Sequence, residues 1–151
     1  MNHLKMIEAV LAQYEMEPIK CSLEEWLASK SHPRADIITR WVTALESKLY
    51  WQSQHQLNDD YGYCCLGVLC SVLQSESKDA SAALLTRSAT LPPSLAGELG
   101  MGTEGRFSSS VANSLPMCLS LTEFNDTYEF TFEEIARFIK EYPYLIFGAY
   151  A

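Results

Sequence analysis

Apolar positions along the chain fall mostly at helical spacing, interrupted by proline, glycine and Asx-rich punctuation. Leu4, Ile7, Val10, Leu11 and Tyr14 form one stripe, with Glu8 and Glu15 off it, and predict an opening helix that Pro18 closes. Ser22-Leu23-Glu24-Glu25 reads as a capping box, in which hydroxyl and carboxylate exchange hydrogen bonds with free backbone donors. It predicts a short helix with Trp26 and Leu27 inward. Pro33 suits the first turn of a stronger helix, whose face is Ile37, Ile38, Trp41, Val42, Leu45 and Leu49. Cys65-Leu66-Gly67-Val68-Leu69-Cys70-Ser71-Val72-Leu73 is apolar nearly all round, the mark of a central helix. Gly67 lowers its helix propensity by about 1 kcal/mol against Ala, which points to close packing of another backbone there.

Between these two helices the period changes. Trp51, Ser53, His55 and Leu57 alternate with Gln52, Gln54 and Gln56, as in an extended strand, and Asn58-Asp59-Asp60-Tyr61-Gly62 carries turn chemistry. Residues 74–90 read as a loop or weak helix. Leu91-Pro92-Pro93-Ser94 starts a short helix that Gly100 stops. Residues 101–118 suggest a surface loop with one or two short strands. Thr131-Phe132-Glu133-Glu134 is a second capping box, opening a helix with Phe132, Ile135, Ala136 and Ile139 inward and a Glu133–Arg137 pair outward. The tail 142–151 is rich in rings and aliphatics, and either docks back on the domain or joins a second copy of the chain. The expected architecture is one α+β domain over residues 1–151: several short helices packed on a small antiparallel sheet, built from the Trp51 region and the 101–118 region.

Composition narrows the class. The 151 residues carry 11 Lys+Arg and 19 Asp+Glu, a formal charge of −8, with 48% hydrophobic and 20% charged residues. That balance fits a folded domain and argues against nucleic-acid binding, since no surplus of cations exists to displace phosphate counterions. No apolar run approaches the roughly 18 residues of a membrane span, and the amphipathic start does not suit a signal peptide. Five cysteines, two of them adjacent (Cys64, Cys65), fit reduced thiols in a cytoplasm better than a disulfide framework.

A string of residues carries a resemblance. Trp41-Val42-Thr43-Ala44-Leu45-Glu46-Ser47, Tyr50 and Gln52, then Gly62-Tyr63-Cys64-Cys65-Leu66-Gly67-Val68-Leu69-Cys70 resembles a signature of small phage and prophage proteins. The likeness continues through Leu91-Pro92-Pro93 and Leu95-Ala96 to Leu99-Gly100. It ends with Leu119-Ser120-Leu121-Thr122, Phe124-Asn125-Asp126 and Phe132, Glu134-Ile135-Ala136, Ile139. It covers about residues 38–141 and leaves the N-terminal 35 or so as a helical extension. The resemblance implies a phage or prophage origin, action in the cytoplasm of a bacterial host, and modulation of host processes such as defence. It implies no catalytic residues.

Candidate chemistry is sparse. Cys64, Cys65 and Cys70 lack the paired spacing of zinc sites, and His3, His32 and His55 supply no companion pair, so neither metal nor cofactor is expected. His55 with Cys64 or Cys65 could make a nucleophile and base, yet thiols in an apolar run usually behave as small hydrophobes. Asp59-Asp60 and Asn125-Asp126 could act together in hydrolysis, with His55, or bind a divalent ion, or simply make turns. Rings alternating with amides at Tyr50, Trp51 and Gln52 can hold a nucleobase and ribose without net positive charge. Asn125 and Asp126 can bond polar edges, and Arg106 with Ser108, Ser109 and Ser110 can meet a phosphate. The leading expectation is a non-enzymatic protein that sequesters a nucleotide-type host signalling molecule. The alternatives are an inhibitor that binds a host protein through its acidic surface or aromatic tail, and a small hydrolase acting on a nucleotide.

Overall fold

Why the helices begin where they do is visible at their first turns. In the computed structural model, which describes residues 3–13, 22–107 and 119–148, five N-terminal caps are side-chain acceptors. Ser22 caps α2 (Leu23–Ser29), Cys64 caps α4 (Cys65–Leu73), and Ser77 caps α5 (Lys78–Leu85). Ser120 caps α7 (Leu121–Asp126), and Thr131 caps α8 (Phe132–Glu141) in a complete capping box with Glu134. α1 (His3–Gln13), α3 (Ala35–Glu46), α6 (Pro93–Leu99) and α9 (Pro143–Ile146) complete the set among the described residues. α6 ends on Gly100, whose φ of 74° is the left-handed value its sequence position calls for.

The apolar α4 is the centre. It packs against α3, α5 and α7, while α8 lies across α3 and receives α1, α2, α7 and α9. The core is one cluster running from Leu4 and Ile7 in α1 to Phe147 after α9, so the N-terminal extension shares it. Trp41 is buried in α3 and donates from Nε1 to the Cys65 carbonyl at 2.9 Å, which ties α3 to the first turn of α4. Gly67 meets the backbone expected of it: a Cβ there would lie 1.7 Å from the Leu57 carbonyl oxygen. The aromatic tail docks back, with Tyr142, Pro143, Leu145, Ile146 and Phe147 all buried.

The expected antiparallel sheet is not present. Helix takes 58% of the described residues and no sheet forms among them, so the fold is not α+β but essentially all-helical. Extended pairing is limited to isolated bridges: Gln52 with Tyr63, Asn58 with Tyr63, and Arg106 with Ser120. The reason is local. The 50–63 segment closes on itself, with Ser53 N–H to the Tyr63 carbonyl at 2.7 Å, Tyr63 N–H to the Trp51 carbonyl at 2.8 Å, and Asp59 N–H to the Gly62 carbonyl at 2.9 Å. His55, at φ 76°, breaks the extended run in its middle. Two further expectations shift. Leu49 falls beyond the end of α3 and is 82% exposed, and Arg137 pairs with Glu141 at 3.3 Å instead of Glu133. Tyr14, Pro18, Ser108, Ser109, Ser110 and the remainder of 111–118 and 149–151 lie outside the described residues. No helix among the described residues is long and apolar enough to cross a membrane.

Candidate functional site

The loop between α3 and α4 is hydrogen-bonded from beneath. Asn125, at the end of α7, is 0% exposed and uses every polar position it has. Its Nδ2 donates to the Ser53 carbonyl and to Asp126 Oδ1, both at 2.8 Å. Its Oδ1 accepts from Gln52 Nε2 at 2.8 Å and from the Cys65 N–H at 3.3 Å. Gln52 Nε2 also donates to the Phe130 carbonyl at 2.7 Å. One buried amide on α7 thus ties down both the loop and the start of α4, from 60 to 73 residues away in sequence, and Gln52 extends the network to the connection into α8. Above it, Asp59 makes an Asx turn, accepting from the N–H groups of Tyr61 and Gly62 at 2.8 and 2.9 Å and from the Ser53 hydroxyl. The Ser53 hydroxyl, with the Tyr61 N–H next, holds the Asp59 carboxyl below its usual range.

On this fixed loop the large rings point outward. Trp51 is 82% exposed and Tyr61 is 85% exposed. Gly62 is what lets the two strands of the loop touch, since a Cβ there would lie 2.2 Å from the Trp51 carbonyl oxygen. A Trp ring of roughly 200 Å² left mostly in water forgoes about 4 kcal/mol of burial at 25 cal/mol per Å². Trp51 stands at a cleft of about 390 Å³, whose walls are Lys48, Tyr50, Trp51 and Gln52 on the loop side and Thr131, Phe132 and Glu133 at the start of α8. Tyr50 is fixed by an edge-to-face contact with Tyr63, centroids 5.3 Å apart at 86°, and its hydroxyl accepts from Ser71 at 3.3 Å. Lys48 makes no ion pair among the described residues. Gln52 spends its two donors inside the fold, which leaves its carbonyl Oε1 as the acceptor available to a ligand.

The residues expected from sequence therefore divide. Tyr50, Trp51 and Gln52 line the cleft together. Asn125 stands behind the loop as its support. Asp126 faces the other way: its Oδ2 lies 3.8 Å from His55 Nδ1, and its side chain is 11% exposed. Arg106 is held by Glu104 at 3.3 Å beside the Ser120 bridge and does not line the cleft. Lys48 and the Phe132–Glu133 wall were not legible as site residues. Nothing in their spacing distinguishes them from a helix end and a capping box.

A thiol nucleophile finds no support in this geometry. Burial pushes the Cys64 thiol up to about 11, even though its Sγ accepts from the Gly67 N–H at 3.4 Å, and the Asp126 charge pushes the same way. Cys65 is raised by burial too, and Cys70 to about 12. At neutral pH the Cys64 thiol is then held in its protonated form, which disfavours it as a nucleophile. Among the described residues no three His, Cys, Asp or Glu side chains are grouped so as to hold a metal ion.

Residues 34–91 match the model of a family described as a domain of unknown function, DUF8296. The matched stretch runs from the start of α3 through the loop, α4 and α5, and so includes the Lys48–Gln52 wall of the cleft, Gly62, Cys64, Cys65 and Gly67. Comparison with curated proteins finds no match, and comparison with solved structures finds none.

Proposed function

We propose that this protein binds a nucleotide-type ligand without turning it over, in the cleft between the Trp51 loop and the start of α8. The observation that carries the reading is Trp51: an exposed ring on a loop whose Gln52, Ser53 and Tyr63 are hydrogen-bonded into the fold. In this mechanism Trp51 stacks on the base and Tyr50 forms the second aromatic wall. Gln52 Oε1 accepts from an exocyclic amine, and Lys48 takes the phosphate contact that Arg106 is not placed to make. The setting that accompanies the reading is a phage-encoded protein acting in the bacterial cytoplasm, where holding a host signalling nucleotide lowers its free concentration and blunts defence.

The test uses the protein's own fluorescence. Trp26 and Trp41 are buried and Trp51 is exposed, so collisional quenching by acrylamide reads Trp51. A panel of ribonucleoside monophosphates and their dinucleotides is titrated in. Protection of Trp51 by at least one of them, lost in Trp51→Phe while binding persists by calorimetry and abolished in Trp51→Ala, supports the reading. Quenching unchanged by every member overturns it.

A second reading, an inhibitor that docks on a host protein, draws on Leu49 and Tyr61, which are exposed beside Trp51 and give the loop an apolar rim. Its tail-mediated version loses its basis, because the described part of the tail is core.

A further inference from the structure

The segment Ser47 to Trp51 supplies walls to two clefts. One is the Trp51 cleft of about 390 Å³. The other, of about 360 Å³, lies between α3 and α4, lined by Thr39, Thr43, Ser47, Leu49, Tyr50 and Val72, with Arg40 at its edge. Tyr50 is a wall of both. Each volume falls in the range of roughly 300–1,000 Å³ that holds a small molecule, and the two are nearly equal. A ligand of two similar ring-bearing lobes joined by a short link would fill both while its link crosses this segment.

Charge selects the link. The Arg40 guanidinium is taken by Glu76 at 2.8 and 3.3 Å and by the Val72 carbonyl at 3.2 Å, so the second cleft offers no spare cation from it. Lys48 in the shared segment makes no ion pair among the described residues, and Glu133 stands opposite it in the Trp51 cleft. The chain as a whole carries −8. One lysine matches the single charge of an internal phosphodiester. A terminal phosphate, at about −1.5 to −2 near neutral pH, would face Glu133 and the protein's negative field with only half its charge met.

We infer that the ligand is a dinucleotide, which rests on the reading of the Trp51 cleft given above. One nucleoside stacks on Trp51, the other lies in the α3–α4 cleft against Tyr50, and the phosphodiester crosses at Lys48. The test compares each ribonucleoside monophosphate with its own 3′,5′-linked dinucleotide by calorimetry at fixed salt. The best dinucleotide should bind at least tenfold more tightly than its monophosphate. Thr43→Trp, which fills the second cleft from an exposed helix position, should shrink that advantage to within twofold; Thr39→Trp repeats the test from a second position, and an advantage that stays tenfold in both overturns the inference. A monophosphate that binds as tightly as its dinucleotide overturns this inference and leaves the nucleotide reading standing. Binding of neither overturns both.

Discussion

Gln52 donates through Nε2 to Asn125 Oδ1 at 2.8 Å, across 73 residues of sequence, and that bond sets the position of the Trp51 loop. Both partners are neutral amides, so the link survives changes of pH and salt. Asn125 is buried and fully bonded, and its removal leaves the Cys65 N–H, the Ser53 carbonyl and one Gln52 donor without their partner. We expect Asn125→Ala to cost about 3 kcal/mol, two or three buried groups at roughly 1–3 kcal/mol each with partial relaxation. Asn125→Asp should also destabilise, because a carboxylate cannot donate to the Ser53 carbonyl. Urea unfolding of both variants measures this, and a loss under 1 kcal/mol for Asn125→Ala would show that the amide is not the anchor.

Two glycines separate packing from propensity. Gly67 lies inside α4 against the Leu57 backbone, whereas an added Cβ at Gly97 in α6 meets nothing within 4 Å. Gly97→Ala should stabilise by about 0.5–1 kcal/mol through helix propensity alone. Gly67→Ala, the same chemical change, should destabilise by about 3 kcal/mol or more, since backbone and not a flexible side-chain end must move. Opposite signs in thermal melts are the expected outcome, and a stabilised Gly67→Ala would contradict the close approach.

Much of this was legible in the sequence, and the boundary has a physical cause. Caps, helix faces, the Gly100 stop and the Gly67 approach depend on residues within a few positions of one another, or on a composition that only close packing explains. The sheet is not formed because Gln alternating with Trp, Ser and His only mimics a strand: Ser53 and Trp51, on one face of that alternation, are buried and exposed respectively. Asn125 reads as turn chemistry by itself. Only the fold reveals that it reaches Gln52, and the cleft walls at Phe132 and Glu133 likewise come from more than eighty residues away.

Acid should loosen the start of α8. Burial raises the Glu134 carboxyl, but the Thr131 N–H at 2.9 Å and His3 at 2.6 Å outweigh it and hold the group below its usual range. A carboxyl depressed on folding stabilises above its unfolded value of about 4.3, and that contribution is lost as pH falls through the lower folded value. Glu134→Ala should therefore cost about 1 kcal/mol at pH 7, the usual worth of a cap, and progressively less as pH falls below the ordinary carboxylate range. A pH-independent difference in denaturant midpoint would rule out the charged form as the stabilising one.

The thiols should behave as core. Cys64, Cys65 and Cys70 are buried and free of disulfides, with Cys64 and Cys70 pushed to about 11 and 12. Iodoacetamide at pH 8 should leave all three unmodified in the folded protein and label them once urea unfolds it, as read by peptide mass mapping. Rapid labelling of Cys64 in the native state would revive the nucleophile that the geometry disfavours.

The most direct test of the ligand-binding account is native mass spectrometry of the protein purified from phage-infected bacterial cells, run beside Trp51→Ala prepared in the same way. We expect the wild-type chain to carry a small nonprotein mass that is released intact on denaturation and absorbs near 260 nm, and the variant to be bare. Wild-type protein that carries no such mass, or a variant that carries the same one, would contradict the assignment of the Trp51 cleft.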